Sequence, residues 1–189
     1  TSSLRRAVQV RRKRSDVTVK SIRGNIETRI KKISGDNYDA IVLAHAGISR
    51  LGVDVTFTSL STEDFSPSPG QGAIAIVARI DDSQTIKMLK KIEDSDTRLE
   101  IEAERALSDF IDSGCRFPLG AYAKSDGSKM TLTVYAFSVD GEQSLEVTRS
   151  GDKNNPKLLG KLVGEELRSK GINDLALNWR EKVDEWNTT

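Results

Sequence analysis

The sequence predicts an α/β protein in two parts, a wound α/β domain followed by a C-terminal α+β domain with a small antiparallel sheet. In the first part, segments of strand character are followed by turns of small residues and then by helices, which is typical of α/β winding. In the second part, Asp126-Gly127 and Asp140-Gly141 separate three strand-like segments, and both pairs are hairpin signals. The two halves are therefore expected to fold differently.

The composition is that of an ordinary globular protein. Of the 189 residues, 37% are hydrophobic and 30% are charged, which argues against disorder. The net charge of +1 indicates neither a nucleic-acid nor a membrane partner, and no apolar run approaches the roughly 20 residues of a membrane span. The single cysteine excludes internal disulfides and is consistent with a reducing cytoplasm. We expect a cytoplasmic protein without a metal site.

The first predicted helix covers residues 2–14 and places Leu4, Ala7 and Val8 on its apolar side. It carries no acidic residue and six cations, namely Arg5, Arg6, Arg11, Arg12, Lys13 and Arg14. A solvated basic face, a nucleic-acid patch and an anion site at the helix N-terminus all fit this charge pattern.

Three strands are predicted in the first part. Residues 17–22 alternate in polarity, residues 38–44 are almost continuously apolar as in a buried parallel strand, and residues 74–79 form a third segment. Helices are predicted at 26–33, around Arg50, and from Asp82 or Ser83 to about Ile92.

Several arginines follow the predicted strand ends, where ligands bind in α/β sheets. Arg5, Arg6, Arg23 and Arg50 lie at or just after these ends, and Arg29 is close behind. Guanidinium groups pair bidentately with carboxylates and phosphates, so the residues predict a site for a polyanion.

The loop from Ser66 to Ala73 is rich in turn-forming residues. Its glycines allow close approach of the backbone to a ligand, and Gln71 offers both donors and an acceptor. A plain crossing between domains fits the same pattern. His45, the only histidine, is expected to pack locally rather than to act as a general base.

The only cysteine, Cys115, is predicted to lie on a short loop. An amphipathic helix with Leu99, Ala103, Leu107 and Phe110 precedes it, Gly114 signals the helix end, and Ala121-Tyr122-Ala123 begins a strand. The residues alone leave a buried apolar cysteine and a nucleophile or attachment point both open. Further strands are predicted near 120–125, 129–138 and 143–149, and helices at about 156–170 and 173–186.

Five ordered motifs resemble those of the porphobilinogen deaminase family, also called the hydroxymethylbilane synthase family. They are Thr1-Ser2-Ser3-Leu4-Arg5-Arg6, Arg23-Gly24-Asn25 with Thr28-Arg29, Leu43-Ala44-x-Ala46-Gly47 with Arg50, Pro69-Gly70-Gln71-Gly72-Ala73, and Gly114-Cys115-x-x-Pro118.

The resemblance implies a dipyrromethane cofactor in thioether linkage to Cys115. Porphobilinogen units would be condensed onto this primer with loss of ammonia, and hydrolysis would release a linear tetrapyrrole for haem-type biosynthesis. By analogy, the cofactor is bound by Ser3, Arg5, Arg6, Arg23, Arg29 and Ala44. The substrate and the growing polypyrrole are bound by Arg5, Arg6, Arg23, Arg29, Arg50, Gln71 and Gly72.

The resemblance also divides the chain. Residues 1–68 correspond to a periplasmic-binding-protein-like middle domain without its first strand, residues 69–94 to a strand and helix returning to an N-terminal domain, and residues 95–189 to the cofactor-bearing domain. The family's catalytic aspartate belongs to that N-terminal domain, so no catalytic residue is expected in this chain. We expect the chain alone to be inactive and the N-terminal part to come from the same protein or from a separate chain.

Two other functions fit the residues. A non-catalytic module that binds carboxylates or phosphates would leave Cys115 unmodified. A nucleic-acid-binding protein would use Arg5 to Arg14 and would show steep salt dependence, although aromatic stacking residues are not near this segment in the sequence.

Overall fold

The computed structural model describes residues 1–35, 37–112, 117–175 and 177–188 of the chain. Cys115, Gly114 and their neighbours Ser113 and Arg116 lie outside the described residues. The elements are α1 (Leu4–Lys13), α2 (Ile26–Lys31) with a 3₁₀ turn (Lys32–Ser34), α3 (His45–Leu51), α4 (Ser83–Leu89), α5 (Ser95–Phe110), β1 (Leu119–Asp126), β2 (Lys129–Phe137), β3 (Ser144–Asp152), α6 (Pro156–Ser169), α7 (Ile172–Leu175) and α8 (Trp179–Thr188). Among the described residues, no helix is long and apolar enough to cross a membrane.

Four helices begin at side-chain caps, as short polar residues favour. Ser3 accepts from the amide of Arg6, Asn25 from Thr28, Asp82 from Thr85 and Asp94 from Thr97, over 2.8 to 3.4 Å. The helix predicted at 173–186 is instead two helices, α7 and α8. Asn178 lies between them with a left-handed φ of 56°, which an α-helix cannot accommodate.

The sheet is an antiparallel meander in the order β1-β2-β3, which confirms the three predicted strands and their hairpins. Gly127 and Gly141 both have positive φ, at 58° and 83°, in the two connections. Alternate residues of β2, from Met130 to Ala136, are buried, so one face of the sheet supplies the core.

Helices α5 and α6 cover this face of the sheet. Ala103 and Leu107 of α5 and Val163 and Leu167 of α6 are fully buried in the same apolar cluster. Helix α1 joins the cluster through Leu4 and Val8, with Ala7 also buried, which confirms the predicted apolar side. The N-terminal helix is thus packed into the core of the C-terminal part.

The three strands predicted before residue 94 are wrong as strands of this structure. Among the described residues, strands occur only from Leu119 onward, and residues 17–22, 38–44 and 74–79 run without a ladder. The first two segments are linked instead by a bond of 2.9 Å from the Tyr38 hydroxyl to the Ser21 carbonyl. In the third segment Val77 is 91% exposed. A strand requires backbone hydrogen bonds to a neighbouring strand, and the described residues form no such ladder with these segments.

Strand β1 forms one edge of the sheet, but its outward amides are paired. Ala121 donates to the Pro67 carbonyl over 2.9 Å, Ala123 to Glu104 Oε1 over 2.8 Å, and Ser125 to Glu100 Oε1 over 2.7 Å. The loop before residue 70 and helix α5 therefore bind to the same edge. The bond from Ala121 to Pro67 holds this loop next to α1.

Candidate functional site

Arg5 is the most deeply buried of the predicted site residues that the structure describes. Its side chain is buried, Nη1 donates to the Ser66 carbonyl, and Nη2 donates to Gln71 Oε1 over 3.0 Å. Burial, together with the nearby charge of Arg6, lowers the pKa of Arg5 to about 9, so the guanidinium remains cationic at neutral pH. Arg5 therefore holds a loop as well as supplying charge.

Arg6 and Arg29 extend this positive charge. Burial lowers the pKa of Arg6 below its usual range, and the charge of Arg29 lowers it further. Arg6 Nη1 donates to the Val42 carbonyl over 3.2 Å, and Arg29 Nε donates to the Gly24 carbonyl over 2.7 Å. Within the described part of the chain, no carboxylate forms an ion pair with Arg5, Arg6 or Arg29. We call these three residues the arginine cluster.

Among the other predicted site residues, Ser3 adjoins the arginine cluster, because its Oγ accepts from the amide of Arg6 over 3.4 Å. Ser3 caps α1, and Ala44 caps α3, where its carbonyl accepts from the amide of Gly47 over 3.0 Å. Arg23 and Arg50 are exposed, and no bond between described residues ties their guanidinium groups to the arginine cluster. The charge of Arg6 thus acts on Arg5 and the charge of Arg29 acts on Arg6, while the joint role of the five arginines in binding an anion stays a prediction.

The loop 66–72 brings Gln71 to the arginine cluster. Gln71 Oε1 accepts from Arg5 and, over 3.2 Å, from the amide of Ser68. Gly72, which follows, is exposed and has a φ of 98°, a left-handed conformation that glycine adopts without strain. The loop thus reaches Arg5 through Gln71, and its role in binding a ligand stays a prediction.

Glu104 is a residue of this region that the sequence reasoning missed. It lies on the inward face of α5 and is 4% exposed. Its two oxygens accept from the amides of Gly70, over 2.6 Å, and Ala123, over 2.8 Å. The available signal was an acidic residue beside Ala103 and Leu107 on an apolar helix face. Glu104 joins the loop to the edge of the sheet.

The protonation of Glu104 is expected to make stability depend on pH. Burial raises the pKa of Glu104 from 4.5 to about 7, opposed by the two amide donors and reinforced by Glu100. The pKa of Glu104 in the folded protein is above its pKa in the unfolded chain. Protonation of Glu104 therefore contributes to the free energy of unfolding fully below pH 4.5, and this contribution is lost as the pH rises through 7. The difference corresponds to about 3 kcal/mol in the free energy of unfolding.

The Glu104→Gln variant isolates this effect. We expect the stability of the wild type relative to the variant to fall between pH 4.5 and pH 7.5, as measured by urea unfolding at several pH values. Glu102→Gln is the matched control on the same helix, because Glu102 is partly exposed and forms an ion pair with Arg98 at 3.5 Å near the surface. A wild-type to Glu104→Gln difference that does not vary with pH would contradict the assignment.

The remaining cations of α1 and Arg14, which follows it, have partners within the chain. Arg11 lies over the Trp186 ring at 5.0 Å, and Arg12 Nη1 donates to the Gly141 carbonyl over 2.8 Å. Lys13 pairs with Asp64 and Arg14 with Asp16, both at 2.7 Å. Each of these four cations thus has a partner among the described residues, although the side chains of Lys13 and Arg14 remain 50% and 63% exposed.

His45 begins α3 and its ring packs against Phe57, with centroids 4.9 Å apart, in agreement with the expected local packing. The chemistry of the site lies elsewhere, in the arginine cluster. A group of cations without carboxylate partners binds anions, and guanidinium groups favour planar carboxylates and phosphates. Fold and charge together indicate an α/β protein with a candidate site for an anion that carries several charges.

Comparison with known families identifies the particular family. Residues 1–87 match the family model described as "Porphobilinogen deaminase, dipyromethane cofactor binding domain", and residues 98–169 match "Porphobilinogen deaminase, C-terminal domain". The chain belongs to the porphobilinogen deaminase family, which confirms the resemblance seen in the motifs.

Curated relatives agree with this assignment. The chain is 82% identical over all its 189 residues to a probable porphobilinogen deaminase of Nitrosopumilus maritimus, and the match covers 61% of that protein. It is 41% identical to the porphobilinogen deaminase of Syntrophobacter fumaroxidans, over 90% of the chain and 56% of the relative. It is 40% identical to that of Oceanobacillus iheyensis, over 98% of the chain and 60% of the relative. The chain thus spans about three fifths of the length of these relatives.

Proposed function

We propose that the full-length gene product is a porphobilinogen deaminase, that is, a hydroxymethylbilane synthase. A dipyrromethane group on Cys115 would supply the primer onto which porphobilinogen units are condensed with release of ammonia. Family membership over both matched regions supports this activity, together with the arginine cluster that lacks carboxylate partners among the described residues. The proposed products serve haem-type tetrapyrrole biosynthesis in the cytoplasm.

The donor set fits such a cofactor. Each pyrrole ring carries an acetate and a propionate, so a dipyrromethane presents four carboxylates, and a longer chain presents more. Arg5, Arg6 and Arg29 would bind these groups from fixed positions, with Ser3 and the backbone at Ala44 beside them. The exposed Arg23 and Arg50 are free of ion pairs among the described residues, and we assign them, with Gln71 and Gly72, to the substrate and the growing polypyrrole.

The proposed domain organisation follows the family. Residues 1–68 would form a periplasmic-binding-protein-like middle domain, residues 69–94 a strand and helix that return to an N-terminal domain, and residues 95–189 the cofactor-bearing domain. The exposure of Ile74 and Val77, at 71% and 91%, supports pairing of residues 74–79 with further strands. We propose that the family's N-terminal domain supplies these strands and the catalytic aspartate, from the same protein or from a separate chain.

The proposal is tested by intact mass and by turnover. The full-length gene product, made in cells that produce porphobilinogen, is expected to exceed its polypeptide mass by two porphobilinogen units less two molecules of ammonia. It should consume porphobilinogen and form a linear tetrapyrrole, whereas residues 1–189 alone should not. Reversible anion binding without an adduct or turnover would instead indicate the non-catalytic module.

A further inference from the structure

A buried polar junction lies between α1, the loop 66–72 and the start of β1. Five polar or charged residues are buried in the described part of the chain, and four of them, Arg5, Gln9, Ser66 and Glu104, belong to this junction. Buried polar groups require hydrogen-bond partners, so each of these side chains constrains the position of its neighbours. The described polar interior of the protein is thus concentrated beside the arginine cluster.

Gln9 binds both backbone groups of a single loop residue. The amide of Ser66 donates to Gln9 Oε1 over 2.8 Å, and Gln9 Nε2 donates to the Ser66 carbonyl over 3.2 Å. The same Nε2 donates to the Arg5 carbonyl, also over 3.2 Å. A side-chain amide is suited to this pairing because it carries a donor and an acceptor side by side. The Gln9 side chain therefore satisfies the N–H and the C=O of Ser66, as the backbone of a neighbouring strand would.

The sheet fixes Ser66 from the other side. The Pro67 carbonyl accepts from the amide of Ala121, and a Cβ on Gly120 would lie 2.5 Å from Ser66 Cβ, too close for any larger residue without a shift. Ser66 is 2% exposed and has little room to move. Its position in turn sets the start of the turn from Ser68 to Gln71, whose side chain reaches Arg5.

We propose that Gln9 is a positioning residue that fixes Ser66 and thereby aligns Gln71 and Arg5 for anion binding. This inference rests on the proposed function, because the anion is taken to be the carboxylates of the pyrrole chain. Gln9 itself is 5% exposed and acts through the loop rather than on the substrate. Small displacements of binding groups have large effects on rate, so the loss should be measurable.

The Gln9→Met variant in the full-length gene product tests the proposal. It keeps the side-chain length but removes the amide, and we expect kcat/KM for porphobilinogen to fall by about 10- to 100-fold. The loss should appear mainly as a higher KM, since misplaced binding groups weaken the ground state and the transition state alike. A merely structural role would lower the folded fraction, and so kcat, without raising KM. Gln143→Met, at an exposed loop position, is the matched control and should leave both constants unchanged.

A second variant covers the case in which Gln9→Met does not fold. Gln9→Glu keeps an acceptor for the Ser66 amide and places a carboxylate near Arg5, but it cannot donate to the Ser66 carbonyl. We expect it to fold and to show a raised KM. Hydrogen exchange of the Ser66 amide gives a readout independent of activity and should be faster in Gln9→Met, which lacks the acceptor of this amide.

The outcomes separate this inference from the proposed function. A wild-type protein without turnover would contradict the proposed function, while faster exchange at Ser66 in Gln9→Met would still support the role of Gln9 in holding the loop. An active wild type, with a folded Gln9→Met or Gln9→Glu variant that keeps the wild-type KM, would overturn the inference.

Discussion

Replacing Cys115 by serine is expected to abolish both the covalent adduct and turnover in the full-length gene product. A thiolate is a far better nucleophile than a hydroxyl, and a serine cannot form the thioether. Cys115 is the only cysteine among the 189 residues, so no other thiol of this chain can replace it. The adduct should therefore be lost completely.

Intact mass spectrometry of wild type and variant measures this loss, and a porphobilinogen consumption assay measures its consequence. Cys115→Ala is the companion variant, because it removes the nucleophile without adding a hydroxyl and should behave in the same way. Both variants should retain the wild-type circular dichroism spectrum. An adduct of the same mass on Cys115→Ser would exclude this residue as the attachment point.

Replacing Arg5 by alanine is expected to reduce stability as well as turnover. Sequence reasoning alone would leave the fold intact, but Arg5 is buried and donates to the Ser66 carbonyl and to Gln71. Removing a donor from a buried carbonyl costs about 1–3 kcal/mol in the free energy of unfolding. Losing a charged contact to a carboxylate of the pyrrole chain should lower kcat/KM by about 10- to 100-fold.

Arg23→Ala is the matched comparison for Arg5→Ala. Arg23 is exposed, so its removal should change the free energy of unfolding by less than about 0.5 kcal/mol while still lowering turnover. Urea unfolding and steady-state kinetics on both variants separate the two effects. Wild-type turnover in both variants would contradict the proposed carboxylate binding, and unchanged stability of Arg5→Ala would contradict its role in the loop.

Local signals made most of the helices and the whole antiparallel sheet predictable. The helix starts after Ser3, Asn25, Asp82 and Asp94 are encoded by single capping residues, and the hairpins by Asp-Gly pairs. The segments 17–22, 38–44 and 74–79 could not be assigned from such local signals, because a strand forms only when a second strand pairs with it. Polarity patterns identify a segment that could pair but not whether its neighbour is present.

The candidate site was predictable in its charge but not in its contacts. The arginines follow from sequence position, and the structure brings Arg5, Arg6 and Arg29 together. The roles of Gln9 and Glu104 depend on contacts with Ser66 and Gly70, which are 57 and 34 residues away along the chain. A polar residue on an apolar helix face shows that a partner is needed, but the fold decides which one.

The pairing of the outward amides of β1 also affects self-association. An open edge strand can recruit the same segment of a second molecule, and repeated additions lead to aggregates. Here Pro67, Glu104 and Glu100 occupy the donors that such an addition would use. The loop beside the arginine cluster therefore also shields one end of this edge, and its displacement would free the Ala121 amide for pairing with a second copy of the protein.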